Sequence, residues 1–540
     1  MLVFREGRRV HSGSALLEAL VPLFRQLSVG PASQPDRLME ALLRSGELEC
    51  GLADAASPHA AGMAAVTDAL AEMLLGRRVD CYKLLERLTA IVPPAQITVS
   101  TPEGFAYYSL HPRRYADLAV ALPLASPYAA VLGIRSIGTT LSAVVAAALR
   151  RRGLVAERIT VRPAGHPFDR QTEFSSDARR WIAAQRARQA EFLVVDEGPG
   201  LSGSSFLSVG DALLQAGVPR NSIAFVCAAH PTLSRLRARD AARRWPQFRS
   251  YAVLPPAAVP ADAELDLSGG NWRRHSFDAA CNWPASWITF ERSKFLSRDG
   301  RRLFKFEGLG HFGAQVAERS RTLAAAGFAP AAENAGDGYL SYRHHRSLPA
   351  TRMDLCPPLL DRIAEYCAFR AARFSHRAAQ SADLSAMAAW NLHEEFRLPN
   401  DRHSASLEIK VPVVADGRMQ PHEWLLTPAG ILKTDGASHG DDHFFPGPAD
   451  IAWDLAGAIV EWDLGRDAAG YLVRRYTQVS GDPIHHRLPS WLQAYAAFRM
   501  GYCKMAAESL SGTAEEERLL RDYRRYRARA STTLTQPAAA

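Results

Sequence analysis

Two adjacent carboxylates, Asp196 and Glu197, follow the uncharged run Phe192–Val195 and precede Gly198, Gly200, Gly203 and the hydroxyls Ser202, Ser204 and Ser205. This combination suits a sugar phosphate. Adjacent acids accept hydrogen bonds from two vicinal hydroxyls, amides and hydroxyls at a helix start hold a phosphate, and glycines let the backbone come close. Upstream, Arg135, Ser136, Gly138 and Thr139 form a second polar turn after the apolar run Tyr128–Ile134, offering charge and backbone donors. Between the two turns lies a long polar stretch after a strand, which carries Arg162, His166 and Arg170. A plainer reading stays open, with the acids as a helix N-terminal pair and the serines as caps in another nucleotide-binding sheet.

The scaffold behind these residues is readable from periodicity. Residues 14–90 carry apolar positions at helical spacing, punctuated by Gly30-Pro31 and Gly46. From Tyr128 to about Ala229, short apolar runs alternate with helical ones, which implies right-handed crossovers and a parallel sheet with ligands at the carboxyl ends of its strands. Pro255–Pro284, rich in Pro and Gly, reads as a linker or wrapped segment. A third pattern follows: a strand at Arg301–Gly310, a helix to Gly327, a strand at Gly338–His345, a helix at Leu359–Phe374 and a helical tail from Pro489. The domains expected are 1–95, 96–256, a linker 257–284, and 285–540.

Composition narrows the function classes. At 540 residues the chain needs more than one core. Its seven cysteines form no Cys-x-x-Cys pair and fit a reducing compartment, and charges break the apolar run of the N-terminus, so a cytoplasmic protein is expected. No stretch of about 18 uncharged apolar residues occurs, so no membrane span is expected. The net charge of +8 attracts phosphorylated small molecules. The basic residues fall in scattered helical patches without interleaved aromatics, a pattern of solvated helix faces that argues against a dedicated nucleic-acid site.

The first set of motifs resembles the type I phosphoribosyltransferases, whose signature is an apolar strand, two acids, a spacer and a Thr-Gly-x-Thr-like loop. The resemblance covers about residues 100–255, with a spacer one residue longer than usual. It implies a parallel-sheet α/β core that binds phosphoribosyl diphosphate (PRPP) with Mg²⁺. Asp196 and Glu197 would hold ribose, Ser202, Gly203, Ser204 and Ser205 the 5′-phosphate, Arg135, Ser136, Gly138 and Thr139 the diphosphate, and Arg162 and Arg170 would close a flap. Members of that family often pair, so a homodimer is compatible.

The C-terminal half resembles the aminoglycoside and choline phosphotransferases, a two-lobed α+β kinase-like fold. Asp435 matches the metal-binding acid, and Pro448, Asp450 and Asp454 match the structural helix. Lys305 would grip the nucleotide phosphates with Glu318 as its ion-pair partner, and the resemblance implies ATP as the nucleotide, bound with or without turnover. At the catalytic acid's position stands Arg418, and at the metal-binding Asn's position Glu423 or His422, so ordinary phosphoryl transfer lacks its base. Asp435, His439, Asp441, Asp442 and His443 could support other chemistry, although Gly440 and Phe444-Phe445-Pro446 make the His439–His443 cluster read as an exposed loop. His344-His345 and His485-His486 read as incidental. The expected function is phosphoribosyl transfer with diphosphate release, fused to a nucleotide-binding half. A non-catalytic PRPP or nucleotide sensor and a small-molecule phosphotransferase remain alternatives.

Overall fold

A computed structural model describes residues 1–28, 35–253, 259–376, 382–398, 407–428 and 430–535, with side chains for all of these except Asp441 and residues 533–535. The apolar runs after Ser126 build an all-parallel five-stranded sheet in the order Val155–Val161, Tyr128–Ile134, Glu191–Val195, Ile223–Cys227, Arg249–Ala252. Strand periodicity sends Leu193 and Val195 to one face and Phe192 and Val194 to the other, and both faces are buried. That is why these strands read as continuous apolar runs.

The N-terminal helices Pro35–Asp54 and Ala60–Leu74 share one core with the Ile137–Arg151 helix and the sheet face bearing Leu193. A buried ion network fixes them there. Arg158, on the edge strand, holds Glu49 with two hydrogen bonds (2.7 and 2.9 Å) and also pairs with Asp68.

The second sheet is antiparallel, in the order Ala263–Asp266, Lys294–Ser297, Arg302–Phe306, Tyr339–Arg343, Ala332–Gly336. The helix His311–Ala325 crosses between its third-ordered and last-ordered strands. Phe304, Phe306, Leu309 and Tyr339 of this lobe join the N-terminal core. A separate core is built from the C-terminal helices, including Pro357–Arg373, Ala452–Glu461 and Leu488–Ser509, around buried Trp453, Trp462 and Trp491. Between the lobe and these helices run two ribbons, Trp424–Thr427 with Gly430–Lys433 and Pro412–Val414 with Pro448–Asp450.

Two departures from the sequence reading concern segments whose role is set by tertiary packing. Most of the expected linker belongs to the folded body: Ala263–Asp266 is an edge strand of the second sheet, and Arg273 is buried against Glu515 (2.8 Å) and the Pro284 carbonyl. Its paired glycines serve a tight turn, Gly269 and Gly270 both being left-handed. The chain's first residues leave the helical region altogether. Val3 is buried in the C-terminal core, and Phe4 bridges to Phe444 and stacks on it.

Candidate active sites

The first site lies at the carboxyl end of the central parallel strand. The Tyr115 hydroxyl donates to the carbonyls of Asp196 (2.8 Å) and Glu197 (3.2 Å), which fixes the backbone where the strand ends. Gly138 is pressed against this corner: a Cβ there would lie 2.5 Å from the Val195 carbonyl and 3.5 Å from Asp196 Cα. The two turns singled out in the sequence therefore touch, and only glycine fits at the contact.

Burial pushes the Asp196 carboxyl up to about 7, against the opposing pull of the Glu197 amide and of Arg162. Burial, then Glu103, then Asp196 push Glu197 up to about 8, while the Gly104 amide donates to it (2.9 Å). Neither acid has a salt bridge among the described residues. Three carboxylates thus crowd one corner with no salt bridge among the described residues.

Arg135 and Arg162 are near but engaged. Both bind Asp54 at the end of the Pro35–Asp54 helix, and Arg162 also donates to the Arg135 carbonyl (2.7 Å). Ser136 precedes the Ile137–Arg151 helix without a side-chain cap, and the Thr139 hydroxyl in its first turn is buried with no hydrogen-bond partner among the described residues. On the other side, left-handed Gly203 opens the Ser204–Gln215 helix, with Ser202 and Ser204 hydroxyls 2.9 Å apart. Ser205 is half-buried in that first turn.

The stretch expected as a flap is a hairpin, Ala164–His166 with Asp169–Gln171. Its tip reaches the serine loop, where Ser204 donates to the Pro167 carbonyl (2.6 Å). Arg170 folds back on its own hairpin, donating to Gly165 (2.6 Å), and His166 is exposed. The structure therefore gathers Asp196, Glu197, Arg162, Arg135 and the serine loop, and leaves Arg170 outside that gathering.

The second site is a cavity of about 550 Å³ between the antiparallel lobe and the C-terminal helices. Lys305 is buried on the lobe's middle strand. Its ammonium lies 2.9 Å from Asp435, 3.0 Å from Ser438 Oγ and 3.2 Å from Glu307. Burial would raise Asp435, but Lys305 and then Lys294 hold it well below the usual carboxylate range. The expected pair with Glu318 does not form. Glu318 is 70% exposed and binds Arg321 on the outer face of its helix, because its position in the helical period points away from Lys305.

Asp435, expected as a metal ligand, is thus engaged by an ammonium. The three groups whose ligand atoms converge are Asp416, Glu423 and His439. Lys433 already supplies a cation there, 2.8 Å from Glu423 and 3.2 Å from Asp416. Asp454 fixes the loop before Arg418 by accepting from the amides of Asp416 (2.9 Å) and Gly417 (3.0 Å). Asp450 accepts from Lys410 and Val411 and pairs with Arg487. Arg418 itself lines the cavity, with Asp442 3.9 Å away.

The His439–His443 segment is not an exposed loop. His439, Asp442 and His443 line the cavity, and burial drives His443 down to about 3. The sequence reading failed here because the cover comes from far away: Phe4, Tyr107, Tyr108 and Phe290 all pack on His443. His344 and His345, read as incidental, also line the cavity, as does Trp272, which stacks on His422.

Sequence reasoning missed Glu103, Gly104, Asp54, Tyr115 and Asp416. The first four lie outside the strand and loop motifs and are brought in by packing. Asp416 carried a signal, an acid two residues before Arg418 in a Gly-containing turn.

No family model matches the sequence, and no curated protein matches it. Among solved structures, choline kinase LicA from Streptococcus pneumoniae aligns at 12% identity over 45% of this chain and 89% of that chain, with a TM-score of 0.34. A choline/ethanolamine kinase family protein from Mesorhizobium loti aligns at 15% identity over 46% and 86%, with a TM-score of 0.32. The GDP complex of aminoglycoside 2′-phosphotransferase-IIIa aligns at 11% identity over 46% and 92%, also at 0.32. At these scores the likeness carries no weight for this chain's chemistry.

Proposed function

We propose that the chain is a two-site protein that transfers a phosphoribosyl group from PRPP at the first site and holds a nucleotide in the second. The observation that carries this reading is the Asp196–Glu197 corner. Two half-buried acids, without a salt bridge among the described residues, sit between a helix start rich in hydroxyls and a turn where Arg135 is joined by Arg162 from the neighbouring strand's end. That arrangement matches the three parts of PRPP: vicinal hydroxyls for the acids, a 5′-phosphate for the Ser204–Gln215 helix start, and a diphosphate for the Arg135–Thr139 turn.

In the transfer, the bond from ribose C1 to diphosphate breaks with its electron pair leaving on oxygen, and the acceptor's bond to C1 forms. Asp196 and Glu197 orient the ribose. The buried Thr139 hydroxyl and the further donors of Arg135 and Arg162 stabilise the leaving group. To admit the phosphate, Ser204 releases the Pro167 carbonyl, so the hairpin moves as the ligand enters. Magnesium fits this corner, because two hard carboxylates short of positive charge suit a hard cation that would neutralise the departing diphosphate.

Calorimetry with PRPP and Mg²⁺ tests the reading. Binding to the wild type and a loss of at least about 100-fold in a folded Asp196→Asn/Glu197→Gln variant, near 3 kcal/mol, are expected. A folded wild type that does not bind PRPP would sink it.

The second half reads as kinase-like and nucleotide-binding because Lys305 and Asp435 meet in a cavity edged by His344–Pro349. Arg418 at the expected catalytic acid favours binding without ordinary phosphoryl transfer.

A further inference from the structure

Lys294 and Lys305 are direct partners across two antiparallel strands, Lys294–Ser297 and Arg302–Phe306. Residues paired in this way point to the same face of a sheet, and like charges so placed repel each other. Both lysines line the cavity of the second site. Two ammonium groups side by side need acceptors, and each has three N–H donors to satisfy.

The buried Lys305 has an acceptor for each donor: Asp435 at 2.9 Å, Ser438 Oγ at 3.0 Å and Glu307 at 3.2 Å. It has none to spare for a ligand. Lys294 is half-buried, with its ammonium 5.6 Å from the centre of the Trp272 ring, and among the described residues that ammonium makes no hydrogen bond and no salt bridge. Glu291, Asp435 and His422 feel its charge from farther away. The acids that line the cavity are already served. Glu291 accepts from the Gly270 amide (2.8 Å), the Trp272 indole (3.1 Å) and the Ser286 hydroxyl. Asp435 has Lys305, Glu423 has Lys433 (2.8 Å), and Asp442 has the Phe444 amide (2.9 Å). Of the guanidiniums there, Arg292 pairs with Glu307 (3.5 Å) and Arg499 with Glu461 (3.1 Å), Arg418 lies 3.9 Å from Asp442, and Arg346 is exposed. What Lys294 offers a ligand is therefore a set of open donors rather than net charge.

We propose that Lys294, and not Lys305, holds the phosphates of the nucleotide in the second site. The inference rests on the nucleotide reading proposed above. Phosphate oxygens accept hydrogen bonds, and an ammonium meets them as a compact point charge. The lysine is fixed at both ends. Its amide donates to Ser268 Oγ (2.9 Å), and its carbonyl accepts from the Leu267 amide (2.9 Å). The Trp272 ring beside the ammonium is held by Glu291 through the indole N–H and stacks on His422 (5.5 Å between centroids). Lys305 is then a brace that ties Asp435 to the antiparallel lobe. A phosphate taken by Lys305 would have to break that pair, whereas one taken by Lys294 leaves it whole. A cavity of about 550 Å³ accommodates a nucleotide.

The test is calorimetry on the full chain with ATP and Mg²⁺, and with adenosine as the probe that lacks phosphate. Lys294→Met is expected to weaken ATP binding by at least about tenfold and to leave adenosine binding within about threefold of the wild type. Lys294→Arg, which keeps the charge, should restore ATP binding to within about threefold. Circular dichroism checks the fold of each variant. Equal losses for ATP and adenosine would mean that Lys294 shapes the cavity without touching phosphate. An ATP affinity indifferent to Lys294→Met would mean that the phosphates lie elsewhere. Either result overturns the inference and leaves the nucleotide reading standing. A folded wild type that binds neither ATP nor adenosine removes that reading, and the inference with it.

Discussion

The hydroxyl of Tyr108 sits 2.8 Å from Nδ1 of His443, across 335 residues of chain, while the Gly104 amide one turn earlier holds the Glu197 carboxylate at 2.9 Å. One short helical turn is thus bonded to a key residue of each site. Gly104 tolerates no side chain in this position, since a Cβ would lie 2.9 Å from Glu197 Cδ and 2.9 Å from a Leu110 methyl.

Gly104→Ala is therefore expected to displace the Glu197 carboxylate and weaken PRPP binding about tenfold, or roughly 1.4 kcal/mol. Tyr108→Phe removes a single neutral hydrogen bond on the far side and should lower stability by about 1 kcal/mol, with PRPP affinity held within threefold. Calorimetry and urea unfolding on the two variants separate these effects. Equal loss of PRPP affinity in both would show that the turn moves as a unit.

The acid pair also predicts a dependence on pH. An acid whose folded pKa lies above its unfolded value resists ionisation, so its penalty is absent at low pH and grows as pH rises from about 4 through the folded values of about 7 and 8. Asp196→Asn/Glu197→Gln should be more stable than the wild type at pH 8.5, by about 1–2 kcal/mol once partial solvent access is allowed for. Near pH 4 the difference should vanish. Urea unfolding at the two pH values checks this, and a variant less stable than wild type at pH 8.5 would mean that the acids are satisfied by contacts not yet identified.

Much of this site was legible because its supporting strands are buried on both faces. Leu193 to Val195 form a run that no helix period explains, and the acids directly after it had to emerge at the sheet's edge. The serine loop and the Arg135–Thr139 turn followed by the same logic. Glu103, Gly104 and Asp54 were not legible, because packing of the helical region and of the turn before Tyr107 brings them in, and no local spacing encodes it. Glu318 was misplaced for a related reason: the sequence offers an acid on the right helix, but the acids that face Lys305 are Asp435 and Glu307, the latter just past the end of Lys305's own strand. The His439–His443 segment looked exposed because its polar composition hid the aromatic cover supplied by Phe4 and Tyr107.

A second pH effect is expected where the halves meet. His311, at the start of its helix, is clamped between Glu40 (Nδ1, 3.3 Å) and Glu47 (Nε2, 3.5 Å) from the N-terminal helical region. Burial would lower its pKa, but hydrogen bonds to Glu40 and then Glu47 raise it to about 9. Glu40, which burial would raise, is brought by His311 down to about 2. The histidine's contribution is complete below its unfolded value near 6.5 and is lost as pH rises through 9. The glutamate's is complete above about 4.5 and is lost as pH falls through 2. The clamp is therefore strongest between about pH 4.5 and 6.5. His311→Gln should cost about 2–3 kcal/mol at pH 5.5 and almost nothing at pH 10, read from thermal unfolding. A cost that does not change between those values would show that His311 is held by packing alone.

The last prediction concerns the cation that stands among Asp416, Glu423 and His439. Lys433 is fully buried and hydrogen-bonds the Glu423 carboxylate at 2.8 Å and its neighbour's carbonyl, Thr434 O, at 2.8 Å, with Asp416 3.2 Å away. Tyr366 also donates to Asp416, and burial with neighbouring charge pushes Glu423 up to about 7. Lys433→Met leaves two buried carboxylates facing each other, and a loss of about 3–5 kcal/mol is expected. His439 is kept neutral by burial and by Arg418, so its ring can donate an electron pair to a metal. With the ammonium gone, the three groups offer one nitrogen and two oxygen donors, a set that suits zinc with water completing its shell. Zn²⁺ should therefore restore much of the lost stability in Lys433→Met and do nothing for the wild type. Adding Glu423→Gln to Lys433→Met should recover part of the loss without metal and weaken the zinc response. Thermal unfolding with and without Zn²⁺ reads both effects. If Zn²⁺ stabilises the wild type as much as the variant, the lysine is not what fills this place.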